Sequence, residues 1–305
     1  MDSKDGPKGE CAMQRVGAKT CCACAALAAM LASPGCALWR EREERAASSP
    51  EHVALARQLS LDAQTAIDGR DFERARSLLE RLASIAPKSA EAQQRLGLVW
   101  QLEGKIDQAE SSFQHALRLD PEYVGALVGL GEVEAARERW AEALARFEHA
   151  LEIDPNQSQA LFDMGGALER LGRRDDALAA YFRAHALDPS ATAISLRIAI
   201  LQLERREPEQ ALARLEQLLE QTPDDPEARH QRGRARLVLK RTADALADLR
   251  FAASKLPERA DVYYHLALAL DASRLRADAI LAADQAVKLA PGYADARDLS
   301  ARLRR

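Results

Sequence analysis

Four cysteines fall within one stretch, "CCACAALAAMLASPGC" (residues 21–36), a fifth is Cys11, and no thiol follows. Thiolates at such short spacing can converge on zinc or an iron–sulfur cluster. That chemistry also needs a second ligand pair or a folded knuckle, and the intervening residues supply no His, no turn signal between the first three thiols and no later Cys. The six histidines are the other route to metal binding or acid–base catalysis. His115 and His149 stand 34 residues apart without carboxylates in register beside them, which is the pattern of a reused surface position. "GGALERLGR", from Gly165, has glycines like a phosphate loop but lacks the Lys-Ser/Thr end and the preceding strand. No "GxSxG", "HExxH" or kinase set occurs. The expectation is a protein with no catalytic residue, no metal site and no cofactor.

The run "RHQRGRARLVLKR" (residues 229–241) holds six Lys or Arg and no acid. Arg232 and Arg234 within it could receive an anion or an acidic peptide, because guanidinium donors match carboxylates. The same arginines could instead pair with Glu216, Glu220, Asp244 and Asp248. Nucleic acid is not expected. The run has no stacking aromatics, and a formal charge of −4 supplies no basic excess.

Any such groups must be positioned by helices. The chain has 305 residues, 47% hydrophobic and 30% charged but only 5% aromatic, which is a globular, helix-favouring composition. Pro87, Pro121, Pro155, Pro189, Pro223, Pro257 and Pro291 are each 34 residues apart. At a proline frequency of ~5%, six hits at predetermined places are a chance on the order of one in 10⁸. With Ala56 as position 1, position 20 is Ala75, Ala109, Ala143, Ala177, Ala211, Ala245 and Ala279. Position 8 is always small: Ala63, Gly97, Gly131, Gly165, Ala199, Gly233 and Ala267. A helical glycine costs ~1 kcal/mol relative to alanine, so its recurrence implies a close approach, read here as one backbone against another. Apolar residues at position 7 (Leu96, Leu130, Met164, Ile198, Leu266) and position 24 (Phe113, Phe147, Tyr181, Leu215, Leu249) complete one helical face each. Each unit therefore reads as a helix, a turn such as "EGKID" or "LGRRDD", and an antiparallel second helix that stops at its proline.

These positions resemble the tetratricopeptide repeat family over residues 56–293. The resemblance implies an all-α fold: a right-handed α-solenoid of antiparallel helix pairs, seven units (56–89, 90–123, 124–157, 158–191, 192–225, 226–259, 260–293) and a capping helix over 294–305. Ser49, Pro50 and Glu51 form a helix start, so the folded domain is expected over 50–305. Two repeats depart from the pattern. Ala66 replaces a bulky residue in the first, and Arg229, Arg232 and Arg236 replace apolar ones in the sixth. In the family, ligands lie along the concave face of the first helices. The matching positions here, with the nearby arginines, give Val128, Phe162, Leu196, Ile200, Arg232, Arg234 and Tyr264 as the partner-binding set, suited to an amphipathic helix or extended peptide. Ser60 and Gln64 stand where the family's chaperone-tail clamp has Lys and Asn, so that specificity is not expected.

The cysteine-rich stretch takes its meaning from this layout. Cys21–Ala32 is an apolar run of twelve residues, below the roughly 18 that span a bilayer but suited to the core of a secretory signal. Arg15 and Lys19 precede it and small residues follow it. Starting at Met13 removes the acidic Asp2, Asp5 and Glu10 from its front. "SPGC" resembles a bacterial lipoprotein signal, which implies a diacylated Cys36, residues 1–35 as signal peptide and 36–49 as tether. Ordinary cleavage after Gly35 or Ala37 is the other form of export. The sequence thus reads as an exported, lipid-anchored scaffold on the periplasmic or outer-membrane face, binding protein segments and supporting assembly of an envelope complex. The alternative is a cytoplasmic regulatory or accessory subunit of an enzyme complex.

Overall fold

The computed structural model describes residues 49–305; the signal peptide, Cys36 and all but the last residue of the tether lie outside the described residues. These described residues are entirely helical and turn, without strand. They fall into two compact units. The first holds α1 (Pro50–Asp68) and α2 (Phe72–Ile85). The second holds α3 (Ala90–Leu102), α4 (Ile106–Leu119), α5 (Val124–Ala136), α6 (Trp140–Ile153), α7 (Ser158–Arg170) and α8 (Arg174–Leu187). It continues with α9 (Thr192–Glu204), α10 (Pro208–Gln221), α11 (Pro226–Val238), α12 (Thr242–Lys255), α13 (Ala260–Ala272), α14 (Arg276–Leu289) and α15 (Ala294–Arg304). No described helix is long and apolar enough to cross a membrane.

Local chemistry starts and stops these helices. Ser49, Asp71, Ser89 and Asp225 cap α1, α2, α3 and α11 by accepting backbone N–H bonds within the first turn. Each first helix closes on a left-handed residue at repeat position 15, with φ between 59° and 76°. The next N–H then reaches back to the carbonyl of position 11, as in Arg173 to Leu168 at 2.9 Å and Glu207 to Gln202 at 2.9 Å. That is a Schellman closure, for which glycine is the unstrained choice. Only Gly104 and Gly172 supply it; Arg70, Glu138, Arg206, Lys240 and Arg274 adopt the same conformation with a side chain. At the opposite end each second helix stops two residues before its proline. Asp120, Asp154 and Asp188 then accept from the N–H two residues on, at 3.0–3.1 Å.

The core of the second unit is built where position 24 meets position 8. Phe113, Phe147 and Tyr181 are about 1% exposed. A Cβ on Gly97 would lie 2.6 Å from the Phe113 ring, one on Gly131 2.6 Å from Phe147, and one on Gly165 2.5 Å from Tyr181. The close approach read from the sequence is real, but its partner is an aromatic ring of the same repeat rather than a second backbone. Gly129, from the next repeat, closes on the other side of Phe113, where a Cβ would stand at 2.5 Å. Each buried ring is worth about 1.5–3 kcal/mol of transfer free energy.

Gly131→Ala tests this seating. Alanine gains ~1 kcal/mol of helix propensity, whereas overpacking a rigid ring costs about 1–3 kcal/mol, so the variant should be less stable in urea. Combined with Phe147→Leu, its cost should shrink by at least about 1 kcal/mol in a double-mutant cycle. Simple additivity would show that the ring is not what the glycine accommodates.

Candidate partner-binding groove

First helices touch directly in two runs, α3 with α5 and α5 with α7, then α9 with α11 and α11 with α13, and the two runs meet where residues of α5, α7 and α9 wall one depression. Two depressions open on this first-helix face. A cavity of about 540 Å³ is walled by Glu132 of α5, Phe162, Asp163 and Glu169 of α7, Arg197 of α9, and Trp140 and Tyr181 from the second helices. A smaller one of about 270 Å³ is walled by Gln94, Leu98 and Gln101 of α3 with Val128 and Glu132 of α5.

The larger cavity has two polar constellations. On one wall Glu169 accepts from Tyr181 Oη at 2.6 Å and from Arg197 Nη2 at 2.7 Å. Burial and this bond to a carboxylate push the Tyr181 hydroxyl pKa up, so it remains a donor. On the other wall the carboxyl groups of Glu132 and Asp163 lie side by side. Gln101 Nε2 donates to Glu132 at 2.8 Å and Gln159 Nε2 to Asp163 at 2.9 Å. Burial first, and then the neighbouring Glu132 carboxylate, raise Asp163 to about 7, against the opposing Gln159 bond.

Most of the expected partner-binding residues are here, half-buried. Val128 and Phe162 pack on the same core cluster, and the Phe162 ring sits 5.5 Å from that of Tyr181. Leu196 packs on the cluster of Leu215 and Leu218. Ile200 lies one turn further along α9. Tyr264 stacks 5.2 Å from both His265 and Tyr293. Arg234 Nη1 donates to Gln231 Oε1 at 2.5 Å.

Arg232 is the correction. Its guanidinium grips Asp248 through two bonds, at 2.7 and 2.8 Å, and Arg236 donates to the same carboxylate at 2.7 Å and to Glu216 at 3.2 Å. Asp248 is 2% exposed. Arg232 and Arg236, which replace apolar residues in the sixth repeat, are therefore engaged by a buried carboxylate rather than standing open on the groove. Arg229 is also held, donating to the Pro223 carbonyl at 2.8 Å and lying 4.0 Å over the Phe251 ring.

Sequence reasoning missed Asp163, because it occupies position 6 rather than 5 or 9, and it missed the His230–His265 contact. His265 Nδ1 donates to the Asp261 carbonyl at 2.7 Å, which leaves His230 Nε2, 3.0 Å away, as an acceptor. Burial, then His230 and Arg234, push the His265 pKa down to about 3. Among the described residues no group of three His, Cys, Asp or Glu side chains could hold a metal ion.

Models of the tetratricopeptide repeat match residues 62–124 and residues 102–160, 134–183 and 170–237, together more than half of the chain. No curated protein matches the sequence. Among solved structures the chain is similar to the Cut9–Hcn1 hetero-tetramer of APC/C, with TM-score 0.66 and 16% identity over 79% of this chain and 48% of that one. The chain thus spans about half the length of that relative. It is also similar to PilW, described as a widely conserved type IV pilus biogenesis factor, with TM-score 0.59 and 21% identity over 69% and 97%. A third is YrrB, described as a repeat protein with an unusual peptide-binding site, with TM-score 0.53 and 20% identity over 62% and 97%. At these identities the likeness is one of fold.

The Arg232–Asp248–Arg236 triad predicts a large asymmetry. Asp248→Ala, which leaves two partly buried guanidinium groups without their shared carboxylate, should lower stability in urea by about 3 kcal/mol. Replacing all three residues by leucine should cost far less. Equal losses would mean that packing volume, not uncompensated charge, sets the penalty.

Proposed function

Because the chain belongs to the tetratricopeptide repeat family, whose helix-pair units build protein–protein interaction scaffolds, we propose that it is a non-enzymatic scaffold binding a protein segment along its first-helix face. The observation that carries this reading is the pair of open depressions on that face, walled by the half-exposed Phe162, Val128 and neighbouring polar side chains. A groove with apolar floors and convergent hydrogen-bonding groups suits an amphipathic helix or extended peptide. Ile200, Leu196, Tyr264 and Arg234 extend the same surface. YrrB is described as having a peptide-binding site, which is in keeping with this use of the fold.

The proposed address is export with lipid anchoring at Cys36, and the proposed role is support for assembly of an envelope complex. The apolar run Cys21–Ala32 and the following "SPGC" support the address. PilW, the pilus biogenesis factor of similar fold, is a precedent for the role.

Two measurements test the proposal separately. A photo-crosslinking residue at Ile200, on the groove, should trap a partner in the host cell. One at Leu281, which is 68% exposed on α14, should not; adducts from Leu281 alone would place the binding surface on the other face. For the address, the N-terminal peptide of protein purified from host membranes should carry the mass of a diacylated Cys36, and Cys36→Ser should abolish it. An intact terminus at Met1 or Met13 would favour the cytoplasmic accessory subunit instead.

A further inference from the structure

One stacking register recurs along the groove: position 9 of a first helix lies against position 6 of the next. At this register Glu132 meets Asp163, and three repeats on, Arg234 stands beside His265, whose pKa its charge lowers. One end of the groove therefore presents two carboxyl groups and the other a guanidinium.

Neither charge is neutralised by its surroundings. Around the larger cavity, Glu169 is paired with Arg197 at 2.7 Å and Glu204 with Arg174 at 2.9 Å, while Arg170 lies 4.7 Å over the Trp140 ring and 3.9 Å from Glu138. Among the described residues Glu132 and Asp163 receive the amide donors Gln101 and Gln159 and no cation, while both line the same cavity. Two desolvated carboxyl groups side by side are unfavourable unless they share a proton or meet a cation. The cavity beside them has the aromatic faces of Phe162 and Trp140, suited to the alkyl stem and charged head of a lysine or arginine. At the other end the acids Glu227 and Asp261 are both taken by Arg259, at 2.9 and 2.6 Å, and the His230–His265 pair faces inward. Tyr264 and Tyr293 lie alongside. Arg234 is left with the neutral Gln231 amide, and no carboxylate bridges to it among the described residues.

We propose that the groove reads a bipolar segment, in which a lysine or arginine enters the cavity between α5, α7 and α9 and pairs with Glu132 and Asp163, while a carboxylate of the same segment pairs with Arg234. This rests on the reading of the first-helix face as a peptide-binding groove. The incoming cation displaces the proton held by Asp163 to solvent. No covalent bond changes. Affinity consequently rises with pH through the neutral range, as Asp163 ionises more readily. Three interhelix steps of ~8–10 Å separate the two ends, so the paired charges stand about eight residues apart in an extended segment.

The test is selection of random peptides of about 16 residues, displayed on phage, by the full-length protein, by Glu132→Gln/Asp163→Asn and by Arg234→Gln. The wild type should enrich peptides with a basic and an acidic residue. The carboxyl variant should lose only the basic preference and Arg234→Gln only the acidic one. A synthetic selected peptide should bind the wild type up to about tenfold more tightly per pH unit from pH 6 towards 7, and the carboxyl variant equally at both. Selected peptides without charge preference, or with a preference that both variants retain, would overturn the inference. If their binding is still abolished by Ile200→Glu, the groove itself stands. Failure of the wild type to select any peptide would overturn the groove and the inference together.

Discussion

The seating of a second-helix ring on a first-helix glycine sets the spacing on which everything else in the second unit depends. With Phe113, Phe147 or Tyr181 at position 24, the facing residue is Gly97, Gly131 or Gly165. With Leu79, Leu215 or Ala283 there, it is Ala63, Ala199 or Ala267. Large rings thus always meet glycine, although Leu249 also faces Gly233, so the small partner is what a ring requires rather than what fixes a constant pair volume. Phe113 is gripped from two repeats at once, by Gly97 and Gly129. The same contact therefore closes a hairpin and stacks it on its neighbour, which is how a row of marginal helix pairs becomes one cooperative array.

Charge is where the repeats diverge from one template. The sixth repeat gives up apolar contacts at positions 7 and 11 and closes instead on Arg232, Arg236 and the buried Asp248. Such a triad adds little net stability over an apolar core but strongly penalises any arrangement that separates its members. At the groove surface the same backbone register carries Glu132 with Asp163 in one place and Arg234 with His265 in another. A regular solenoid thereby acquires an electrically uneven face without altering a single helix.

Much of this architecture is written in the sequence because it is local. Helix length, the stop before each proline and the small residue at position 8 depend on neighbours within one 34-residue unit, so a periodic pattern is enough to place α3 to α14. The turn at position 15 is less visible. Five of its seven left-handed residues are Arg, Glu or Lys, and it is the i to i−5 hydrogen bond, not glycine, that holds them there.

What the sequence by itself determined is the repeat and its helices. Tertiary structure decided which charged side chains remain free on the first-helix face. Arg232 and Arg234 look alike in "RGRAR", yet a difference of two positions turns one inward to Asp248 and leaves the other to the Gln231 amide. Asp163 gains its significance only when α7 stacks on α5 and brings it to Glu132. Electrostatic interactions act between groups far apart in the chain and depend on distance and desolvation, and both are fixed only once the helices have packed.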